Sequence, residues 1–134
     1  MEKESTLLLL DNVSVSYDKV VALKNVSVSI PEGKIVTILG ANGAGKSTIL
    51  NAVSGIVPLQ QGAIRLGDRR IDKLSPADIV RLGISHCPEG REVFPDLTVY
   101  ENLLMGAYTK TRQEFATELS SVFKIFPIID KRKN

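Results

Sequence analysis

Residues Gly40 to Thr48 read GANGAGKST, and they directly follow the apolar run IVTIL of Ile35–Leu39. The apolar run predicts a β-strand covered on both faces by other layers, and the residues from Lys46 onward predict a helix that ends at Gly55. A glycine-rich turn between a strand and a helix gathers backbone N–H groups and the positive end of the helix dipole at one point. The stretch therefore predicts an α/β core with an anion site.

This glycine loop (Gly40–Thr48) matches the pattern G-x-x-x-x-G-K-[ST] at every fixed position. In such a loop the amides hold nucleotide phosphates, the Lys46 ammonium reaches the β- and γ-phosphates, and the Ser47 hydroxyl completes a Mg²⁺ shell. The alternative is a glycine-rich turn with an incidental lysine. The spacing and the flanking elements favour nucleotide binding. The binding residues are then Gly40, Ala41, Asn42, Gly43, Ala44, Gly45, Lys46, Ser47 and Thr48.

The composition is that of one ordinary globular domain, with 134 residues of which 43% are hydrophobic and 24% charged. A formal net charge of +2 gives no reason to expect a nucleic-acid partner. Cys87 is the only cysteine, which favours a reducing cytoplasm. The leucine run Leu7–Leu10 is too short for a signal peptide or a membrane span, so no span is expected.

The segments around the glycine loop predict an antiparallel sheet. Val13–Tyr17 and Val26–Ile30 alternate apolar residues with serine, as strands with one buried face do. Gly67-Asp68 between two further short strands predicts a hairpin turn. Ile84–Cys87 is a further predicted strand, in which His86 is interpreted as structural and Cys87 as a small core residue.

Capping signals predict three further helices. The N-caps are Ser75 before Pro76, Thr98 with Glu101, and Thr111 with Glu114. The first of these helices should end at Gly83. The last carries an apolar stripe at helical spacing and should end at Pro127. The stripe consists of Phe115, Leu119, Val122, Phe123 and Phe126.

The stretch from Leu7 to Asp68, LLLLDNVSVSYDKVVALKNVSVSIPEGKIVTILGANGAGKSTILNAVSGIVPLQQGAIRLGD, resembles the ATP-binding subunit of ABC transporters. The resemblance implies an incomplete P-loop NTPase fold of the α/β class, with an antiparallel β-subdomain, the start of the α/β core and the start of a helical subdomain. Residues 1–134 would be the N-terminal part of one ATP-binding domain. About 1–90 would form the β-subdomain and P-loop core, and about 91–134 a loop and the first helical part. ATP and Mg²⁺ are the implied cofactors.

An aromatic residue ahead of the P-loop stacks on adenine in that family, and Tyr17 matches it. By the same resemblance Val20 and Ala22 would form the edge of the base pocket. The alternative is a structural tyrosine in the core or on the sheet surface, and the strand alternation alone does not decide between this and a role in adenine binding.

The segment from Leu82 to Tyr108, LGISHCPEGREVFPDLTVYENLLMGAY, resembles the family's glutamine loop and the helix after it. Glu89 stands at the glutamine position, as in branched-chain amino acid importers. The resemblance implies that Glu89 binds Mg²⁺ or the attacking water and shares the catalytic role with Lys46. The alternative is a solvated loop acid.

About Arg91 to Met105 would, by the same resemblance, receive the transmembrane permease. Phe94, Pro95 and Leu97 are apolar loop residues that fit a docking surface. They would equally fit packing beneath their own loop.

Three family elements have no counterpart in the 134 residues: a Leu-Ser-Gly-Gly-Gln-type motif, an apolar strand ending in Asp-Glu, and a later histidine. The resemblance therefore implies ATP binding as part of the ATP-hydrolysing subunit of an importer for branched-chain amino acids, with little turnover by this chain alone. It also implies a second ATP-binding subunit and a cytoplasmic place on the inner face of the plasma membrane, held there by the permease. Without its neighbouring strand, Ile35–Leu39 would leave an apolar edge that favours association. The alternatives are a non-catalytic nucleotide-binding or interaction module, or a small P-loop kinase.

Overall fold

The computed structural model describes residues 5–90 and 92–132 of the chain. These residues form two compact units, which divide between His86 and Cys87. Within the described residues, the first unit carries four strands and two helices and the second carries three helices. None of the helices in this part of the chain is long and apolar enough to cross a membrane.

The first unit is built on an antiparallel sheet with the strand order β2-β1-β3-β4. The strands are β1 (Thr6–Tyr17), β2 (Val20–Pro31), β3 (Gln61–Leu66) and β4 (Arg69–Arg70). β1 pairs with β2 on one side and with β3 on the other. The predicted strands at Val13–Tyr17 and Val26–Ile30, the two short strands around Gly67-Asp68 and the turn between them are confirmed.

Helix α1 (Lys46–Val53) packs its apolar residues against this sheet. The alternation of the strands buries one set of side chains, and α1 supplies the covering layer. Gly55 follows α1 with a φ of 71°, so the predicted helix end is confirmed. The core contains Leu10, Val13, Val15, Leu23, Ile49, Ala52, Val53, Ile64 and Ile71.

Helix α2 (Pro76–Arg81) also belongs to the first unit, and its predicted cap is confirmed. The Ser75 hydroxyl accepts a hydrogen bond from the Asp78 N–H at 3.2 Å. Gly83 follows with a φ of 95°, a left-handed conformation that ends a helix at little cost when the residue is glycine.

The second unit consists of α3 (Val99–Gly106), α4 (Arg112–Ile125) and α5 (Pro127–Lys131). Both predicted capping boxes are present, at the starts of α3 and α4. Tyr100 and Phe115 meet edge to face, with ring centroids 5.8 Å apart. Of the predicted stripe on α4, Phe115 is buried, Phe126 is exposed and the other three residues are half-buried.

Two predicted strands are wrong. Ile35–Leu39 has no regular structure and pairs with none of the four described strands, and Ile35 and Leu39 are 98% and 88% exposed. Ile84–Cys87 also has no regular structure. A strand needs a neighbour that accepts its backbone hydrogen bonds, so an apolar run alone does not form one. As a result His86 is half-buried outside any strand, and Cys87 is exposed instead of lying in the core.

Candidate nucleotide-binding site

The glycine loop curls between the exposed segment at 35–39 and the first residue of α1. Gly43 and Gly45 have φ angles of 82° and 88°, which side chains with a Cβ rarely adopt. Among the described residues, and apart from Gly43 itself and its two chain neighbours, no atom lies within 4 Å of the place where a Cβ on Gly43 would stand. The backbone conformation therefore requires the glycine there and the packing does not. The Ala44 N–H donates to the Ala41 carbonyl at 3.1 Å, which closes the curl. Such left-handed turns direct successive N–H groups towards one point.

Lys46 is the first residue of α1, and its side chain folds back along the loop. Its Nζ donates to the carbonyl oxygens of Gly40 at 2.9 Å and Ala41 at 2.7 Å. The ammonium group is therefore held at the loop itself, where phosphate oxygens would compete with the two carbonyls for its protons.

The N-terminus of α1 lacks the side-chain cap that begins α2, α3 and α4. Ser75, Thr98 and Thr111 each accept a first-turn N–H of α2, α3 and α4. Gly45 gives α1 no side-chain cap, and its first turn carries no acidic residue. The first-turn N–H groups of a helix need acceptors, and an anion supplies them with the favourable dipole.

These features fit a nucleotide with its magnesium ion. The loop has left-handed glycines, a lysine held at its start and a helix end that lacks a side-chain acceptor. Ser47 is exposed beside Lys46, whereas Thr48 is buried and packs into the first unit. Magnesium in nucleotide sites is commonly held by one or two protein oxygens together with phosphates and water, which a single serine hydroxyl satisfies.

The three residues predicted to meet the base lie at one end of the first hairpin. Tyr17 pairs with Val20 across the hairpin tip (Tyr17–Val20), and Tyr17 is 44% exposed. This exposure excludes the core alternative for Tyr17. The Ala22 carbonyl oxygen lies 2.8 Å from the place where a Cβ on Gly45 would stand. The strand that carries Val20 and Ala22 therefore touches the glycine loop.

The remaining predicted residues belong to the second unit. Glu89 is exposed in a segment without regular structure. Phe94, Pro95 and Leu97 are exposed, so they do not pack beneath their loop. Arg91, at the start of the predicted permease contact, lies outside the described residues.

Apolar side chains of this loop and of α3 form an open groove of about 770 Å³ (the apolar groove). Its lining includes Val93, Phe94, Pro95, Leu97, Val99, Leu103, Met105 and Tyr108. Asn102 on α3 holds one wall: its Oδ1 accepts from the Phe94 N–H at 2.9 Å, and its Nδ2 donates to the Phe94 and Leu97 carbonyls. The sequence did not point to Asn102, because a single asparagine inside a helix carries no signal for bonds to a preceding loop.

Residues 23–134 match the family model of ABC transporters. The chain belongs to the ABC transporter family. It is 40% identical over 126 residues to the high-affinity branched-chain amino acid transport ATP-binding protein BraG of Pseudomonas aeruginosa, covering 94% of this chain and 54% of BraG. It is 32% identical over 115 residues to the probable branched-chain amino acid transport ATP-binding protein LivF of Archaeoglobus fulgidus, covering 86% and 49% of the two chains. The ABC chain thus spans about half the length of these curated relatives.

Solved structures confirm the predicted fold class of this ABC protein. An ATP-binding subunit of an ABC transporter superposes with a TM-score of 0.81 at 26% identity, covering 96% of this chain and 53% of the other. A dimeric ATP-binding cassette in a post-hydrolysis state, bound to ADP and Pi, superposes with a TM-score of 0.73 at 25% identity. That match covers 87% of this chain and 56% of the other. The predicted resemblance to subunits of the branched-chain amino acid type is confirmed by the relatives.

Proposed function

We propose that this chain binds MgATP as part of the ATP-hydrolysing subunit of an importer for branched-chain amino acids. The observation that carries the proposal is the glycine loop, with left-handed Gly43 and Gly45, the ammonium of Lys46 held at its start and an α1 N-terminus without a side-chain cap. The names of BraG and LivF support the class of solute.

In the proposed site the backbone of Gly40–Gly45 and the first turn of α1 hold the phosphates. Lys46 exchanges its two carbonyl partners for phosphate oxygens, and the Ser47 hydroxyl serves as a magnesium ligand. Bound magnesium neutralises part of the phosphate charge. Tyr17 offers its exposed ring to the adenine, with Val20 and Ala22 at the edge of the base.

Glu89 is proposed to act as an oxygen ligand for magnesium or to accept a hydrogen bond from the attacking water, in a catalytic role that it shares with Lys46. A carboxylate is a suitable hard ligand for this ion. The 134 residues contain no apolar stretch that ends in Asp-Glu and no Leu-Ser-Gly-Gly-Gln-type motif. Phosphoryl transfer depends on positioning and charge stabilisation from several groups. We therefore expect this chain by itself to hydrolyse ATP slowly or not at all.

The proposed partners are a transmembrane permease and a second ATP-binding subunit. The apolar groove supports the first, because exposed apolar side chains around a concave surface mark protein interaction sites. The dimeric cassette among the solved structures supports the second. In such an assembly the chain would lie in the cytoplasm against the inner face of the plasma membrane.

A non-catalytic nucleotide-binding module is the second candidate. The exposure of Ile35 and Leu39 favours it, since the described residues leave both apolar side chains uncovered. In that case the glycine loop would still bind MgATP, but adding a second ATP-binding subunit would not produce ATP hydrolysis.

A thermal-shift titration with MgATP tests the proposal. We expect saturating MgATP to raise the melting temperature of the wild type, because a ligand that binds only the folded state stabilises it. Lys46→Ala should abolish the rise. Lys73→Ala removes the same charge from an exposed position in the first unit and should retain it. Absence of any shift in the wild type would overturn nucleotide binding.

A further inference from the structure

The last glycine of the glycine loop has no room for a side chain, and the atoms that crowd it belong to β2. A Cβ on Gly45 would stand 2.7 Å from Leu23 Cδ2 and 2.8 Å from the Ala22 carbonyl oxygen. Real Cβ atoms essentially never come this close to other atoms, so only a glycine fits where the glycine loop touches β2. Leu23 is 4% exposed and forms part of the core with residues of α1.

β2 is irregular on both sides of this contact. Val13 pairs with Val26 and Val15 pairs with Leu23, so β2 holds one extra residue between these pairs. Ser16 then pairs with Val21, which leaves Ala22 as a second extra residue. Bulges of this kind bend a strand and change the direction of a side chain, and they occur next to functional sites.

Two hydrogen bonds between Ser14 and Asn25 stabilise the first bulge. Asn25 has a φ of 50°, and its N–H donates to the buried Ser14 hydroxyl at 2.9 Å. The same hydroxyl donates to Asn25 Oδ1 at 3.2 Å. The position of Leu23 against Gly45 is therefore determined by the strand itself.

The regular pairing resumes beyond the bulges and leads to the hairpin tip. Val20 lies two residues beyond Ala22, or roughly 7 Å at the usual rise of a strand. Tyr17 stands opposite Val20. The contact between Leu23 and Gly45 thus sets the separation between the glycine loop, which takes phosphates, and the tip, which would take the base.

We infer that Leu23 is a positioning residue that fixes the distance between the phosphate site and the adenine site. This inference rests on the proposed function, because it needs both ends of the nucleotide to be bound. A ligand that uses both ends gains from a preformed separation, whereas a ligand that uses only the phosphate site does not. Leu23 therefore contributes to the preference for a whole nucleotide over free polyphosphate.

The experiment compares the dissociation constants of MgATP and magnesium tripolyphosphate by calorimetric titration. We expect the wild type to bind MgATP about five- to 150-fold more tightly, the range that stacking of one base supplies. In Leu23→Ala this preference for MgATP should fall about two- to twelvefold, which corresponds to the free energy of ordering one side chain. The dissociation constant of magnesium tripolyphosphate should stay unchanged.

Leu10→Ala is the matched control, since it removes the same atoms from a core leucine of β1 that pairs with Val28. Its ratio should equal that of the wild type. If either alanine variant fails to fold, Leu23→Val and Leu10→Val replace the pair. An equal loss for both ligands in the Leu23 variants, or a ratio equal to that of the Leu10 control, overturns the role of Leu23. A wild type without preference for MgATP overturns the adenine site, and the role of Leu23 with it.

Discussion

The glycine loop shows how far single residues determine the site. Gly43 and Gly67 both have positive φ angles, 82° and 54°, and both have open space where a Cβ would stand. Their backbone cost is therefore similar, but only Gly43 lies in the loop that would hold phosphates. Substitutions at these two glycines therefore distinguish the effect of backbone strain on stability from an effect on ligand binding.

Gly43→Ala should weaken MgATP binding strongly and cost about 1 kcal/mol of folding stability, because the alanine resists the left-handed conformation that directs the amides. Gly67→Ala should cost a similar amount of stability and leave the affinity unchanged. Chemical denaturation gives the stabilities and calorimetry the affinities. Equal affinities in the two variants would contradict a phosphate role for the loop.

Residue-scale features that depend on near neighbours in the sequence were predictable. The capping serine and both capping boxes follow from side chains three residues apart, and all three are present. The contact between Leu23 and Gly45 was not predictable. It joins residues 22 positions apart, and it depends on two extra residues in β2 that no sequence pattern indicates.

At the scale of elements, the β3–β4 hairpin depends on one buried carboxylate. The Asp72 side chain is 1% exposed, and its Oδ1 accepts from the Arg70 guanidinium at 2.8 Å and the Ile64 N–H at 3.0 Å. Burial acts to raise the pKa of Asp72, but the hydrogen bonds from Arg70 and Ile64, the charge of Arg70 and a hydrogen bond from the backbone of Asp72 itself together lower it by more. The pKa therefore lies below its ordinary value.

Asp72 should therefore make the free energy of unfolding depend on pH in the acid range. Because the pKa is depressed in the folded state, the ionised carboxylate stabilises the fold above the unfolded-state pKa of about 4. This contribution is lost as the pH falls through the lower folded-state pKa. Asp72→Asn should cost about 1.5–3 kcal/mol at neutral pH, since hydrogen bonds to charged groups are in this range.

Denaturation of wild type and Asp72→Asn from neutral pH to strongly acidic pH measures the difference between them. That difference should shrink as the pH falls below about 4. Asp68→Asn, in the exposed turn of the same hairpin, serves as the control and should show little difference at any pH. A constant cost for Asp72→Asn across the whole range would contradict the ionised role.

At the scale of the whole molecule, the segment Ile35–Leu39 shows why one strand of the predicted α/β core was wrong. The apolar pattern correctly marks residues that favour burial, but pairing depends on another segment that lies alongside. Ile38 packs partly against the core, whereas Ile35 and Leu39 project into solvent. The family and the antiparallel sheet were predictable from motifs and alternation, because those signals lie within short stretches.

The exposed segment Ile35–Leu39 predicts self-association of this chain. Apolar, β-prone residues that pair with no described strand offer both apolar surface and backbone groups to another copy. We expect sedimentation velocity to show larger species as the concentration rises through the micromolar range. Ile35→Lys with Leu39→Lys should reduce them, because each charge opposes burial.

The matched control replaces two other exposed isoleucines, as Ile125→Lys with Ile128→Lys in the second unit. This variant adds the same charge but should leave the association unchanged, which separates the loss of a specific apolar segment from general charge repulsion. Equal reduction by both double variants would assign the effect to net charge. A wild type that stays monomeric at every concentration would contradict self-association through this segment.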